Sequence, residues 1–161
     1  MPDATALEYW SMRRFSLVFR LAPAIAAMAI VGCASVPLMD KDADKEAKTF
    51  ETKPGLANIY VYRNESYGAA VKLPVYLDGV KMGATAADTY LMLRVHPGRH
   101  TLVSDPYKDA PLQIVAVAGH NYFVWQEVIT GLRRARSELQ LVSDQEGRDG
   151  VEECDRAESL R

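Results

Sequence analysis

The sequence predicts a mainly β protein: a single antiparallel β-sandwich of about seven to eight short strands. A short C-terminal helix follows the strands, and an N-terminal targeting segment precedes them. Three observations carry this reading. From Ala57 onward apolar and polar residues alternate with a period of two, as in half-buried strands. Turn residues recur about every eight to twelve positions, as at Asp78-Gly79 and Pro97-Gly98. Strand patterns do not alternate with long helical ones, so a parallel α/β sheet is not expected.

Composition bounds the rest. The chain has 161 residues, room for one domain and a leader. Apolar residues make up 48% and charged ones 25%, ordinary values for a globular protein. The formal net charge is −2, and no concentrated basic patch provides the footprint of a nucleic-acid binder. The two cysteines are Cys33 and Cys154.

Residues 1–32 read as a signal peptide, with Met12 a better start than Met1 because the acids Asp3 and Glu8 do not suit a basic leader. Arg13, Arg14 and Arg20 form the basic end, Leu21 to Val31 the apolar run, and Gly32 the small residue before the cut. Ile30-Val31-Gly32-Cys33 resembles the lipobox of bacterial lipoproteins. That resemblance implies diacylglycerylation of the Cys33 thiol, cleavage between Gly32 and Cys33, and acylation of the new amino group, with palmitate the expected chain. Several acyl chains hold a protein on a membrane far better than one. Ala34 and Ser35, rather than an Asp, follow the cysteine, which favours the outer membrane over the inner one. Two alternatives remain. The uncharged stretch from Leu21 to Met39 approaches the about 20 residues of an uncleaved anchor helix, against which stand Pro23, Gly32 and Pro37. Arg13-Arg14 hints at a twin-arginine signal, but Phe15-Ser16-Leu17 departs from the usual order.

Residues 33–56 read as a lipidated N-terminus and a charged tether, either a spacer between lipid and domain or a solvated leader. A helix over about Asp40 to Phe50 suits its Ala, Lys and Glu content. The like-charge pairs Lys41/Lys45 and Asp42/Glu46 weaken it, and Pro54-Gly55 ends it.

Residues 57–161 form the domain. Strands are expected over Ala57–Arg63, Leu73–Leu77, Val80–Gly83, Thr89–Val95, His100–Ser104, Leu112–Val117, Tyr122–Ile129 and Ser137–Val142. Pro74 cannot donate to a ladder, which places the second strand at an edge or Pro74 at its start. Ser143-Asp144-Gln145-Glu146 has the form of a capping box opening a helix to about Cys154, although Gly147 and Gly150 weaken a helix.

Ile59-Tyr60-Val61-Tyr62-Arg63, Val75-Tyr76-Leu77-Asp78-Gly79, Pro97-Gly98-Arg99-His100-Thr101-Leu102 and Tyr122-Phe123-Val124 together resemble a bacterial lipoprotein family known only as a domain of unknown function. They also resemble PEGA-type and prealbumin-like β-sandwich modules. The resemblance spans about Ala57 to Cys154 and implies an architecture and an envelope address. It implies no activity.

Candidate sites are few. No metal site is expected: His96, His100 and His120 lack ligand spacing and a cysteine partner. No cofactor is expected and no catalytic residue is assigned, since neither a phosphate-binding glycine loop nor an activated nucleophile is legible. Asp78, Asp88 and Asp105 fall in turns and loops. Tyr60, Tyr62, Tyr76 and Tyr90 have the parity opposite to the aliphatic residues, so they form either an aromatic binding patch on an outer sheet face or cross-strand pairs that stabilise the sheet. Trp125 is expected in the core. Arg133, Arg134 and Arg136 read as a solvated hairpin loop or as an anion site. Cys154 reads as a buried small hydrophobe or an intermolecular disulfide.

The function expected is therefore that of a membrane-anchored envelope lipoprotein facing the periplasm, a non-catalytic binding or structural module. Its expected partners are the membrane, through the lipid anchor, and an envelope protein or glycan, not nucleic acid. The alternatives are an envelope hydrolase with a site assembled in space, and an accessory subunit that pairs through an open sheet edge.

Overall fold

A computed structural model describes residues 34–105, 109–130 and 135–160. The expectations on residues 1–33, including the Gly32–Cys33 site, and on Arg133 and Arg134 lie outside the described residues. The order of elements is α1 (Lys41–Ala47), β1 (Ala57–Arg63), β2 (Leu73–Leu77), β3 (Val80–Thr85), β4 (Thr89–Val95), β5 (Gly98–Val103), β6 (Leu112–Ala116), β7 (Asn121–Thr130), β8 (Ala135–Val142), α2 (Asp144–Glu152) and β9 (Asp155–Arg156). A five-stranded sheet, β8-β7-β1-β4-β9, faces a four-stranded one, β3-β2-β5-β6. The mainly β sandwich with a C-terminal helix is as the strand periodicity predicts.

The four-stranded sheet is antiparallel throughout. The five-stranded sheet is mixed: β1 pairs antiparallel with β4 but parallel with β7, and β4 pairs parallel with β9. The crossovers that bring β7 beside β1 contain strands of the other sheet, so no helix-for-strand alternation announces them. Pro74 lies in an interior strand. It is tolerated because β5 bonds β2 only at Tyr76 and Leu77, leaving Pro74 without a ladder partner on that side.

The inter-sheet core collects Ile59, Val61, Leu91, Leu93, Val95 and Val124 from one sheet and Val75, Leu77, Leu102 and Ile114 from the other. Every residue of β1 is buried, on both faces of its sheet. Tyr60, Tyr62, Tyr90, Met92 and Phe123 point away from the sandwich, into a second core closed by Ala47, Phe50, Val151 and Cys154. Tyr60 stacks on Phe123 (centroids 5.2 Å, planes 16° apart), and Phe50 meets both rings edge-on. The domain therefore has three layers: the helices, the mixed sheet and the antiparallel sheet.

Each helix has a local cause and a tertiary one. Asp40 caps α1 by accepting from Ala43 N–H at 2.8 Å, and Ser143 caps α2 by accepting from Glu146 N–H. The like-charge pairs of α1 are offset by Asp44–Lys48, an opposite pair at i,i+4. Tyr60 Oη donates to the Ala47 carbonyl, Tyr90 Oη to Asp44 Oδ1, and Arg156 to the Ala43 carbonyl. Gly147 and Gly150 are what let α2 lie on the sheet. A Cβ at Gly147 would fall 2.0 Å from Phe123 Cβ, and one at Gly150 2.2 Å from Tyr62 Cε2.

The expected tether is corrected. Ala34 N–H donates to Ala69 O, Met39 N–H to Arg156 O, and Leu38 bridges Ala157. Residues 34–50 are packed on the domain rather than extended in solvent, because α1 and Phe50 cover apolar sheet surface that would otherwise face water.

Candidate functional site

The expected tyrosine patch is also corrected. Tyr60 and Tyr90 are fully buried and Tyr62 is 3% exposed, because α1, Phe50 and α2 cover their face. Tyr76 is half-buried on the other sheet, so the four rings share no surface. Burial, opposed by nearby arginines, pushes the Tyr60 hydroxyl up to about 12. Burial and the Asp44 hydrogen bond raise Tyr90.

The structure brings Tyr62 instead to the floor of a groove of about 560 Å³ between α2 and the mixed sheet. Trp125 lies beside it on β7, half-buried, and its Nε1–H has no hydrogen-bond partner. Glu146, Asp149 and Glu153 come from α2, and Asn64 from the end of β1. Their placement follows from the helix. Residues three and four apart share one face, and the glycines hold that face close to the sheet. Asn64 Nδ2 donates to Glu153 Oε2 at 2.8 Å, and Gln145 to Asp149 Oδ1 at 2.8 Å. Burial first, then the charge of Glu146, pushes Tyr62 up to about 12. The arrangement offers an aromatic floor and several carboxylate acceptors. It suits a neutral or cationic ligand with a flat apolar face and hydroxyl or amine donors. Tyr62 was legible as an aromatic candidate. The carboxylates of α2 were not singled out, and their spacing in a capped helix was the signal that could have found them.

The other acid–base groups are engaged locally. His100 Nδ1 lies 2.7 Å from Asp78 Oδ2 and Nε2 lies 2.9 Å from the His96 carbonyl, while Asp78 Oδ1 accepts from Thr101 N–H. Asp78 adopts a left-handed conformation (φ 51°) in its turn, so this pair fastens the β2–β3 turn to β5 and to the β4–β5 connection that crosses between the sheets. Burial alone would lower the His100 pKa, but the bonds to Asp78 and the His96 carbonyl outweigh it and raise the net value. Burial would raise Asp78, but the bonds from His100 and Thr101 hold it below the usual range. His120 Nδ1 lies 3.1 Å from Ala118 O. Asp88 lies in the β3–β4 turn, where its carbonyl accepts from Asp155 N–H. Asp105 N–H donates to Asp109 Oδ2, and Arg136 is exposed on β8. Among the described residues no group of three His, Cys, Asp or Glu side chains is placed to hold a metal ion. Cys154 is buried with a free thiol, which burial pushes up to about 12. That environment is the buried one of its two readings.

Two buried polar features escaped the sequence reading. Arg63, fully buried, donates to the Val71 and Tyr67 carbonyls and so folds the 64–72 loop over the end of β1. Gln126 links the two sheets by accepting from Thr85 Oγ1 and donating to Ser104 Oγ.

Fold and groove together define a β-sandwich with a helical outer layer and an acidic, aromatic-floored groove under its C-terminal helix. The family described as "Protein of unknown function (DUF2846)" matches residues 53–138, and the chain belongs to it. The match includes the Asp78–His100 pair and the groove floor but neither helix. An uncharacterized protein of Haemophilus influenzae is 27% identical over 135 residues, covering 83% of this chain and 80% of that one. No solved structure matches.

Proposed function

We propose that this chain is a lipid-anchored module of the bacterial cell envelope that faces the periplasm of the outer membrane and binds rather than catalyses. The address is carried by one observation, the basic–apolar–small order that ends in Ile30-Val31-Gly32-Cys33. Mass spectrometry of the mature protein tests it. The expected N-terminus is an acylated Cys33, and an intact peptide running through residues 29–34 as the main species would sink the reading.

Binding is favoured over catalysis because the best acid–base pair, Asp78 with His100, has both ring nitrogens engaged in fastening turns. The ligand class is read from the groove: a glycan or an amine-bearing envelope component, stacked on Trp125 and hydrogen-bonded by Glu146 and Asp149. The sequence has two tryptophans, Trp10 and Trp125. Once residues 1–32 are removed, Trp125 is the remaining tryptophan, so tryptophan emission reports the groove. Titration with soluble cell-wall glycan fragments is expected to shift that emission, and the shift is expected to weaken in Glu146→Gln and Asp149→Asn. Emission indifferent to every fragment rejects the groove as a glycan site.

A further inference from the structure

We propose that the anchored domain lies directly against the phospholipid bilayer, on the edge formed by residues 36–38, β3 and residues 158–160. The inference rests on the anchoring at Cys33 proposed above and adds an orientation to it. Cys33 is followed at once by Ala34, whose N–H donates to the Ala69 carbonyl at 2.9 Å. Met39 N–H then donates to Arg156 O, and Glu158 N–H to Pro37 O, each at 2.9 Å. One peptide step, about 3.8 Å between Cα atoms, separates the acylated residue from the first bonded one. The acyl chains must enter the hydrocarbon, so the surface around Ala34 comes within a few ångströms of the headgroups.

That surface has the composition an interface requires. Val36, Lys72, Lys81, Glu158 and Leu160 line one shallow groove of about 230 Å³. Leu160 is 66% exposed in this groove, and Leu38 is 47% exposed in the neighbouring one with Ala34. Leu160 N–H donates to Met82 O at 2.7 Å, which fixes the leucine against β3. Exposed leucines suit the headgroup–acyl boundary, and in this groove Lys72 and Lys81 outnumber the carboxylate of Glu158, while Asp88 and Asp155 line the neighbouring groove that holds Ala34 and Leu38. The opposite edge of the same sheet is β6, three strand spacings or about 14 Å from β3. Its Val115 is 60% exposed but remote from the anchor, and serves as the control.

The test uses the full chain expressed in a bacterial host and purified with its anchor. Intact mass first reports acylation at Cys33. The protein is then placed in vesicles of phosphatidylethanolamine and phosphatidylglycerol, with an environment-sensitive fluorophore attached through Leu38→Cys, Leu160→Cys or Val115→Cys. All three positions are exposed, and the buried Cys154 does not compete for label. Probes at 38 and 160 are expected to be shielded several-fold from aqueous iodide relative to 115, and the K72E/K81E variant is expected to lose much of that shielding. Equal quenching at all three positions in acylated protein overturns the docking and leaves the anchor standing. An unmodified Cys33 overturns the anchor, and the docking with it.

Discussion

Gly150 sits directly on the ring of Tyr62: a Cβ added there would lie 2.2 Å from Tyr62 Cε2. Helix propensity favours Ala over Gly by about 1 kcal/mol in a helix interior. Here the sign inverts, because the added methyl must displace a buried ring, and overpacking costs about 1–3 kcal/mol. Gly147→Ala is expected to be worse than Gly150→Ala, since its clash is with Phe123 Cβ, which cannot swing aside as a ring tip can. Urea denaturation of both variants checks the sign and the order.

The Asp78–His100 pair gives a pH dependence with a definite direction. The His100 pKa is raised in the folded protein, so its contribution is complete below about 6.5 and is lost as pH rises through the folded value. The Asp78 pKa is depressed, so its contribution is present above about 3.9 and is lost as pH falls through the folded value. The pair is therefore strongest between about pH 4 and 6.5. Asp78 is 48% exposed in its side chain, which limits the effect to less than about 1 kcal/mol. His100→Gln is expected to flatten the decline of stability above pH 6.5. A decline of unchanged size would assign it to other groups.

Helix α1 is held by the Tyr90 hydroxyl on Asp44 Oδ1 at 2.8 Å. Tyr90→Phe leaves that carboxylate with Lys48 alone and is expected to cost about 1–2 kcal/mol. Hydrogen exchange should quicken in residues 41–48 while β1 and β4 keep their protection. Uniform acceleration would mean that α1 and the sheet open as one unit.

Cys154 is 2% exposed, with a thiol that burial pushes up to about 12. Alkylation by iodoacetamide is expected to be negligible in the native state and to rise with denaturant along the unfolding curve. Ready labelling in buffer would show that α2 lifts from the sheet without global unfolding.

Much of the sandwich was legible. Alternation at Ile59, Val61, Val75 and Leu77 placed the inward faces, and Asp78-Gly79 and Pro97-Gly98 placed the turns, because these signals are local. The outer layer was not legible for the same reason. Tyr60 and Tyr62 have the parity of an outward face, and nothing within β1 says that α1, Phe50 and α2 cover it. By propensity Gly147 and Gly150 weaken α2, since propensity concerns the helix alone, whereas their use concerns its distance from Phe123 and Tyr62. The groove inherits this difficulty: its floor lies on β1 and β7, and its carboxylates on α2.

The parallel pairing of β1 with β7 has a kinetic consequence. β1 is the first strand of the domain to be made, yet its second neighbour begins only at Asn121. Residues 37–39 find their partners only when residues 156–158 arrive. Such long sequence separations raise the contact order and slow folding, and the earliest segments must wait for the last. The β1–β7 pair and the bridge at Leu38 therefore cannot close until nearly the whole chain is available.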